Sequence, residues 1–257
     1  MNIIFSFFIF LISVQIYSQD VAKIKVTYET KFVNDSLNKE KIETYDYILL
    51  ANESKSLYFF ESAKIFFNRA DNQGEKIVTS VGQIPRYPKY VGSVLKLEEQ
   101  TLAFLPVGKY IFKFIEPALE WKILDEKKEI MGYQCRLAET KTDNNDHFYA
   151  WFTEDIPISD GPFRFKGLSG LILEVYNKNN TIKIFATELK KSNEEIELIR
   201  YTNLVETKNK KQYLEARKNY IENPSIYNGN IKIFDATGKD LTNRISERLK
   251  KVNVYLD

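Results

Sequence analysis

The sequence predicts an α+β fold, mainly β, in which an antiparallel curved sheet or half-barrel meander carries one or two C-terminal helices. Three observations carry this reading: runs of alternating apolar and polar residues up to residue 188, short turn-forming connections between them, and helical spacing after Thr207. Short connections favour antiparallel neighbours, because parallel strands need crossovers of roughly a dozen residues or more.

The elements follow in order. Ala22, Ile24, Val26, Tyr28 and Phe32 alternate with Lys23, Lys25, Thr27, Glu29 and Lys31, so residues 21–33 read as a strand with one buried and one wet face. The polar stretch Asn34–Glu40 reads as a turn, and the Tyr-rich run 42–51 as the antiparallel partner. Strand length and composition also mark 57–61, 76–80, 94–97, 101–105, 110–114, 119–124, 133–141, 147–153, 171–176 and 181–188. Asn177-Lys-Asn-Asn180 and Thr142-Asp-Asn-Asn-Asp146 close two hairpins, since Asn and Asp tolerate left-handed backbone and bond their own main chain. A helix is expected over 208–222, where Tyr213, Leu214, Ala216, Arg217, Tyr220 and Ile221 recur at helical spacing. Thr207 is the expected N-cap and Asn223-Pro224 the stop. A further strand at 231–234 and a weaker helix at 240–252 complete the expectation.

Composition sets outer limits. With 44% hydrophobic and 28% charged residues the chain has the balance of a globular protein, too apolar for disorder and too interrupted by charge for a polytopic membrane protein. The 37 basic and 35 acidic groups leave a net charge of +2, and the basic excess after residue 188 is too mixed for a nucleic-acid surface. One cysteine, Cys135, and one histidine, His147, leave no structural zinc site and no intramolecular disulfide, so no metal and no cofactor is expected.

Residues 1–18 lack Lys, Arg, Asp and Glu, and Met1–Tyr17 forms an apolar stretch followed by Ser18, Gln19 and Asp20. This is the pattern of a secretory signal peptide, with Ile16 and Ser18 suiting the −3 and −1 positions of a cleavage site. The expectation is an exported protein of the periplasm or cell envelope: residues 19–257 as one β-rich domain, with no transmembrane segment once the signal peptide is removed.

Catalytic signatures are scarce. Gly-rich phosphate loops, His-Glu-x-x-His and Cys-x-x-Cys are all missing. Gly167-Leu-Ser-Gly-Leu171 departs from the Gly-x-Ser-x-Gly elbow at its fifth position, His147 sits beside a polar turn, and Cys135 reads as a packed strand residue. Glu154-Asp155 beside Trp151 suggests carboxylate chemistry, but adjacent residues point in different directions. No catalytic residue is therefore assigned, and the ligand-binding residues are left unknown.

The distinctive segment runs from Trp151 to Glu174. It holds Ala150-Trp151-Phe152-Thr153, Ile156-Pro157, Gly161-Pro162 and then Gly167-Leu168-Ser169-Gly170-Leu171-Ile172, preceded by Trp121 and Gly132-Tyr133. In this order the residues resemble the GLPGLI family of Bacteroidetes envelope proteins over about residues 119–190. Ser169 stands where the family motif has proline, which removes a fixed backbone angle and argues against a serine nucleophile. The motif is read as a bend: Gly167 and Gly170 supply positive φ or close backbone approach, and Leu168, Leu171 and Leu173 fasten the next strand to the core. An exposed Pro and Gly loop on a rigid sheet is also where binding sites tend to sit.

The resemblance implies an envelope location and supplies no activity. Its meander looks similar to the half-barrels of periplasmic lipoprotein carriers, an analogy of fold alone. The first expectation is a non-catalytic binding or accessory protein that takes an apolar ligand or an extended peptide on a curved sheet, in an apolar concavity of several hundred cubic ångströms. The alternative is a structural or partner-binding component of an outer-membrane assembly, using a sheet edge or the Gly-Pro loop to hold an envelope protein. A carboxylate-dependent hydrolase is third, and requires two acids converging in a cleft with proton affinity raised on one.

Overall fold

A computed structural model describes residues 20–35, 37–71, 87–228, 237–238, 247, 249–252 and 254–256. Residues 1–18, the strands expected at 76–80 and 231–234, and most of the helix expected at 240–252 lie outside the described residues. The chain is mainly β, and the described residues form twelve strands in one open sheet and three helices. In chain order the strands are β1 (Ile24–Val33), β2 (Ile42–Ala51), β3 (Lys55–Phe59), β4 (Ser93–Leu97), β5 (Gln100–Val107), β6 (Tyr110–Ile115), β7 (Trp121–Ile130), β8 (Tyr133–Lys141), β9 (His147–Thr153), β10 (Leu171–Asn177), β11 (Ile182–Lys191) and β12 (Leu204–Glu206). The helices are α1 (Glu61–Asp71), α2 (Lys210–Glu222) and α3 (Pro224–Asn228).

Two meanders share a seam. Strands β1 to β6 lie side by side in chain order, β11 to β7 do the same in reverse, and β1 joins them by pairing antiparallel with both β2 and β11. Short turns account for most of these pairings, since each leaves the chain only the neighbouring antiparallel position, while β3 with β4 and β9 with β10 pair across longer connections. Three corrections follow. Strand β12 pairs parallel with β6, returning after the long path through the second meander. Helix α1 stands early in the chain, directly after β3, where the expected strand 57–61 shortens to end at Phe59. Asn209, not Thr207, caps α2, its side chain accepting from the Gln212 amide at 3.2 Å.

The period-two pattern buries the middle of the sheet on both faces. In β2, Leu49 and Ala51 enter one apolar cluster while Ile48 and Leu50 enter another. The second cluster is covered by Ala63 and Phe67 of α1, one helical turn apart, with Ile196 and Ile199 from the segment after β11. The first runs from Val26 and Tyr28 to Phe148, Ala150 and Phe152, and is covered by Ile158, Phe163, Phe165 and Leu168 of the β9–β10 connection. A third cluster seats α2 on β5 and β6, where Tyr213 stacks on Phe114 with ring centroids 4.8 Å apart.

Candidate functional site

The connection from Glu154 to Gly170 shapes the site. Sequence reasoning expected an exposed loop; Asp160–Lys166 and Leu168 are instead buried. Close approach holds the loop to the sheet at two glycines. A Cβ on Gly170 would lie 1.9 Å from the Thr153 carbonyl oxygen, and one on Gly161 would lie 2.5 Å from that of Phe165, so neither position admits a side chain. Backbone bonds from Ile172 to Asp160 (2.9 Å) and from Leu171 to Ile156 (3.2 Å) tie the loop to the start of β10. The buried Tyr28 hydroxyl donates to the Ile172 carbonyl at 2.6 Å. Phe163 adopts φ of 50°, a strained left-handed conformation for an aromatic residue, while Phe165 packs on Phe148 at 4.8 Å.

The other motif residues divide. Trp121 reaches the loop, its indole N–H donating to the Lys166 carbonyl at 2.8 Å beside the exposed Gly167. Leu168, Leu171 and Ile172 enter the core; Pro162 is buried and Pro157 exposed. Ser169 is exposed, and its hydroxyl donates to Glu154 at 2.6 Å. Gly132 and Tyr133 lie elsewhere, at the β7–β8 turn, where Met131 and Gly132 take φ of 53° and 83°. Trp151 takes the Lys128 ammonium over its ring at 4.5 Å.

Sequence reasoning missed a network of buried charges hung on the same loop. Arg164 is fully enclosed: Nη1 donates to Asp143 at 2.8 Å, and Nη2 lies 2.9 Å from Glu116, an ion pair without the alignment of a hydrogen bond. Lys210, the first residue of α2, bridges the same two acids, 2.7 Å from Glu116 and 3.0 Å from Asp143. Two residues along, Lys166 donates to Asp160 and to the Gly161 carbonyl at 3.0 Å. Lys96 of β4 donates to the Ser159 carbonyl at 2.6 Å, with its ammonium 3.9 Å from Asp160 Oδ2. Burial pushes the Asp143 carboxyl up, but Arg164 and Lys210 together outweigh it and hold it below its ordinary value. Burial draws the Lys166 amine down, Asp160 opposes this, and the nearby charge of Lys96 adds to the lowering. Among the described residues, Arg164 Nε has no acceptor and Asp160 Oδ2 no donor.

These cations wall a cleft of about 350 Å³ between the β4–β5 hairpin and the loop. Lys96, Arg164 and Lys166 form one side, the exposed Glu98 and Glu99 stand at the rim, and Pro117–Leu119 complete the wall. Two further cavities, of about 540 and 730 Å³, have Asn34, Asp35 and Lys41 at one and Asn144, Asn177 and Arg217 at the other. Among the described residues no group of three or more His, Cys, Asp or Glu is placed to hold a metal ion. Cys135 is buried, which pushes its thiol up to about 11, and His147 is exposed. No helix of the described residues is long and apolar enough to cross a membrane.

The fold and site thus define an open, mainly β sheet in which the loop between β9 and β10 is pinned inside the structure beside a charged cleft. The family model described as "N-glycanase peptide, N-terminal domain" matches residues 115–215. Glu116, Asp143, Asp160, Arg164, Lys166 and Lys210 all fall within that match, whereas Lys96 lies outside it. Two solved structures of PNGF-II, in space groups P21 and C2, are each 20% identical to this chain, with TM-scores of 0.53 and 0.51. The alignments cover 77% and 76% of this chain but 33% and 32% of theirs, so the chain spans about a third of their length. At that identity the likeness is one of fold. No curated protein matches the chain.

Proposed function

We propose that this chain is a non-catalytic binding module of the cell envelope, a GLPGLI-type protein exported behind residues 1–18, which holds an extended peptide in the cleft between the β4–β5 hairpin and the 154–170 loop. The observation that carries the reading is the polar lining of that cleft on a wall made rigid by Gly161 and Gly170. Of the two occupants the sequence leaves open, an apolar ligand fits less well, because Phe163, Phe165 and Leu168 already fill the apolar face beside the loop. A peptide offers what the cleft needs, backbone groups and charges of both signs.

Likeness of residues 115–215 to an N-terminal domain, and of the fold to a third of a longer chain, supports a module more than a complete enzyme. Among the described residues, the carboxyls of Glu53, Glu139 and Asp143 are shifted downward, the wrong direction for a general acid. The partner-binding alternative draws on β7, the ten-residue edge strand. Its bulge and its charges Lys122, Asp125, Glu126 and Lys127 are devices that discourage strand addition.

A photo-crosslinker at Thr101, on the cleft, tests the proposal in the native envelope, with Lys122 on the far edge as the control position. A discrete polypeptide adduct from Thr101 and none from Lys122 is expected. Equal capture from both positions, or none from Thr101, overturns the reading.

A further inference from the structure

We infer that the cleft recognises a peptide by a free carboxylate, seated against Lys96 and Lys166. The inference rests on the peptide-binding reading above and names the group that is read.

It begins with a charge imbalance. The ion pairs behind the cleft fall into two groups: Arg164 and Lys210 balance Glu116 and Asp143, whereas Lys96 and Lys166 share the single carboxylate of Asp160. One positive charge is left over in a largely dry setting, where uncompensated charge is costly. The excess lies towards the cleft, because both Lys96 and Lys166 line it. A single anion there brings the network to neutrality.

The rim sets the class of anion. Glu98 and Glu99 are exposed where the cleft opens, so a ligand carrying several negative charges meets repulsion before it reaches the cations. A phosphate dianion is disfavoured for that reason. A monovalent carboxylate ending an otherwise neutral or basic chain satisfies both zones, its charge inside and its amide or cationic groups near the glutamates. Lys96 is the cation best placed to meet it, since its tie to Asp160 is the longest in the network and its other bond is to a neutral carbonyl.

The test uses N-acetyl-trialanine and its C-terminal amide, which differ only in the carboxylate. Binding is read by calorimetry and by amide chemical shifts of residues 159–167. The acid should bind about tenfold more tightly than the amide, the value of one charge-assisted bond. Lys96→Met should bring the two to parity while leaving the spectrum dispersed, and Lys96→Arg should retain the preference. Equal affinity of acid and amide at the cleft overturns carboxylate recognition and leaves the peptide reading standing. So does failure of both peptides when the Thr101 crosslink is positive; failure of both together with a negative crosslink removes both readings. Tighter binding of inorganic phosphate than of the acid, or shifts confined to other surfaces, also overturns the inference.

Discussion

The 154–170 loop is held at its two ends by different forces. Leu168, Leu171 and Ile172 are fastened by dispersion and close backbone contact, whereas Asp160, Arg164 and Lys166 are fastened by charges brought deep into the fold. Both stretches are buried to a similar degree, but the second cannot be swapped residue by residue, because removing one partner strands another charge. The difference teaches that burial alone does not locate a core. The leucines pack as any β-rich interior does; the charges wall a cleft, and a structure that needed only cohesion would be served as well by apolar residues there.

The sharpest way to break the comparison is at the apolar end. Gly170→Ala drives a Cβ into the Thr153 carbonyl, and because backbone rather than a flexible side chain is in the way, the strand must move. We expect a loss of about 4 kcal/mol or more, or failure to fold, measured by urea denaturation. Next in size is the charged end. Arg164→Met leaves Glu116 and Asp143 with Lys210 alone, and should cost about 3–4 kcal/mol. Leu168→Ala, on the same scale, should cost about 2–3 kcal/mol by cavity formation. Salt should change neither penalty much, since the Arg164 pairs are enclosed and Leu168 is apolar; a strong salt dependence of the Arg164→Met penalty would show that its ion pairs are open to solvent.

Acid titration sharpens the same contrast at smaller cost. The folded Asp143 carboxyl lies below its ordinary value, so its contribution to stability is fully present above the unfolded value near 3.9 and is lost as pH falls through the folded one. The third of its surface left exposed keeps the effect modest. Asp143→Asn should flatten the acid limb of a stability-pH curve, and an unchanged limb would show that the charged end is not anchored through this residue. At the other extreme, burial raises the hydroxyls of Tyr28, Tyr47 and Tyr58 well above 10, so the unfolded state loses their protons first and stability should fall as pH rises past 10.

Much of the sheet was legible because each strand carries its own evidence. Alternation in β1 and β2 reports a local fact, which side of one strand is wet, and both appear within a few residues of the expected bounds. Helix α1 was not legible: Phe59, Phe60, Phe66 and Phe67 mimic strand composition, and the helical signal rests on Ala63 and Phe67, whose burial depends on Ile196 and Ile199 far along the chain. The charged cleft was less legible still. Lys210 and Glu116 are 94 residues apart, and Arg164 and Asp143 are 21 apart across a hairpin, so no spacing rule links them. The motif residues marked the loop correctly as a unit but not its depth, since Gly-Pro composition is common to exposed turns and to backbone pressed against a strand.

Ser169 offers the smallest and most discriminating test of what the motif does. Its side chain is exposed, its hydroxyl bond to Glu154 is a surface contact, and among the described residues its backbone N–H makes no main-chain hydrogen bond. Proline there would forfeit the hydroxyl bond, worth less than about 1 kcal/mol at the surface, and would stiffen the unfolded chain by a similar amount in the opposite sense. Ser169→Pro should therefore leave stability within about 1 kcal/mol of the parent and leave binding at the cleft unchanged, because Ser169 does not line it. A large loss of stability would mean that the bend at this position is incompatible with proline's fixed φ. A loss of binding at unchanged stability would carry the site past Gly167 onto the motif itself, and the leucine end of the loop would then share the work assigned to its charged end.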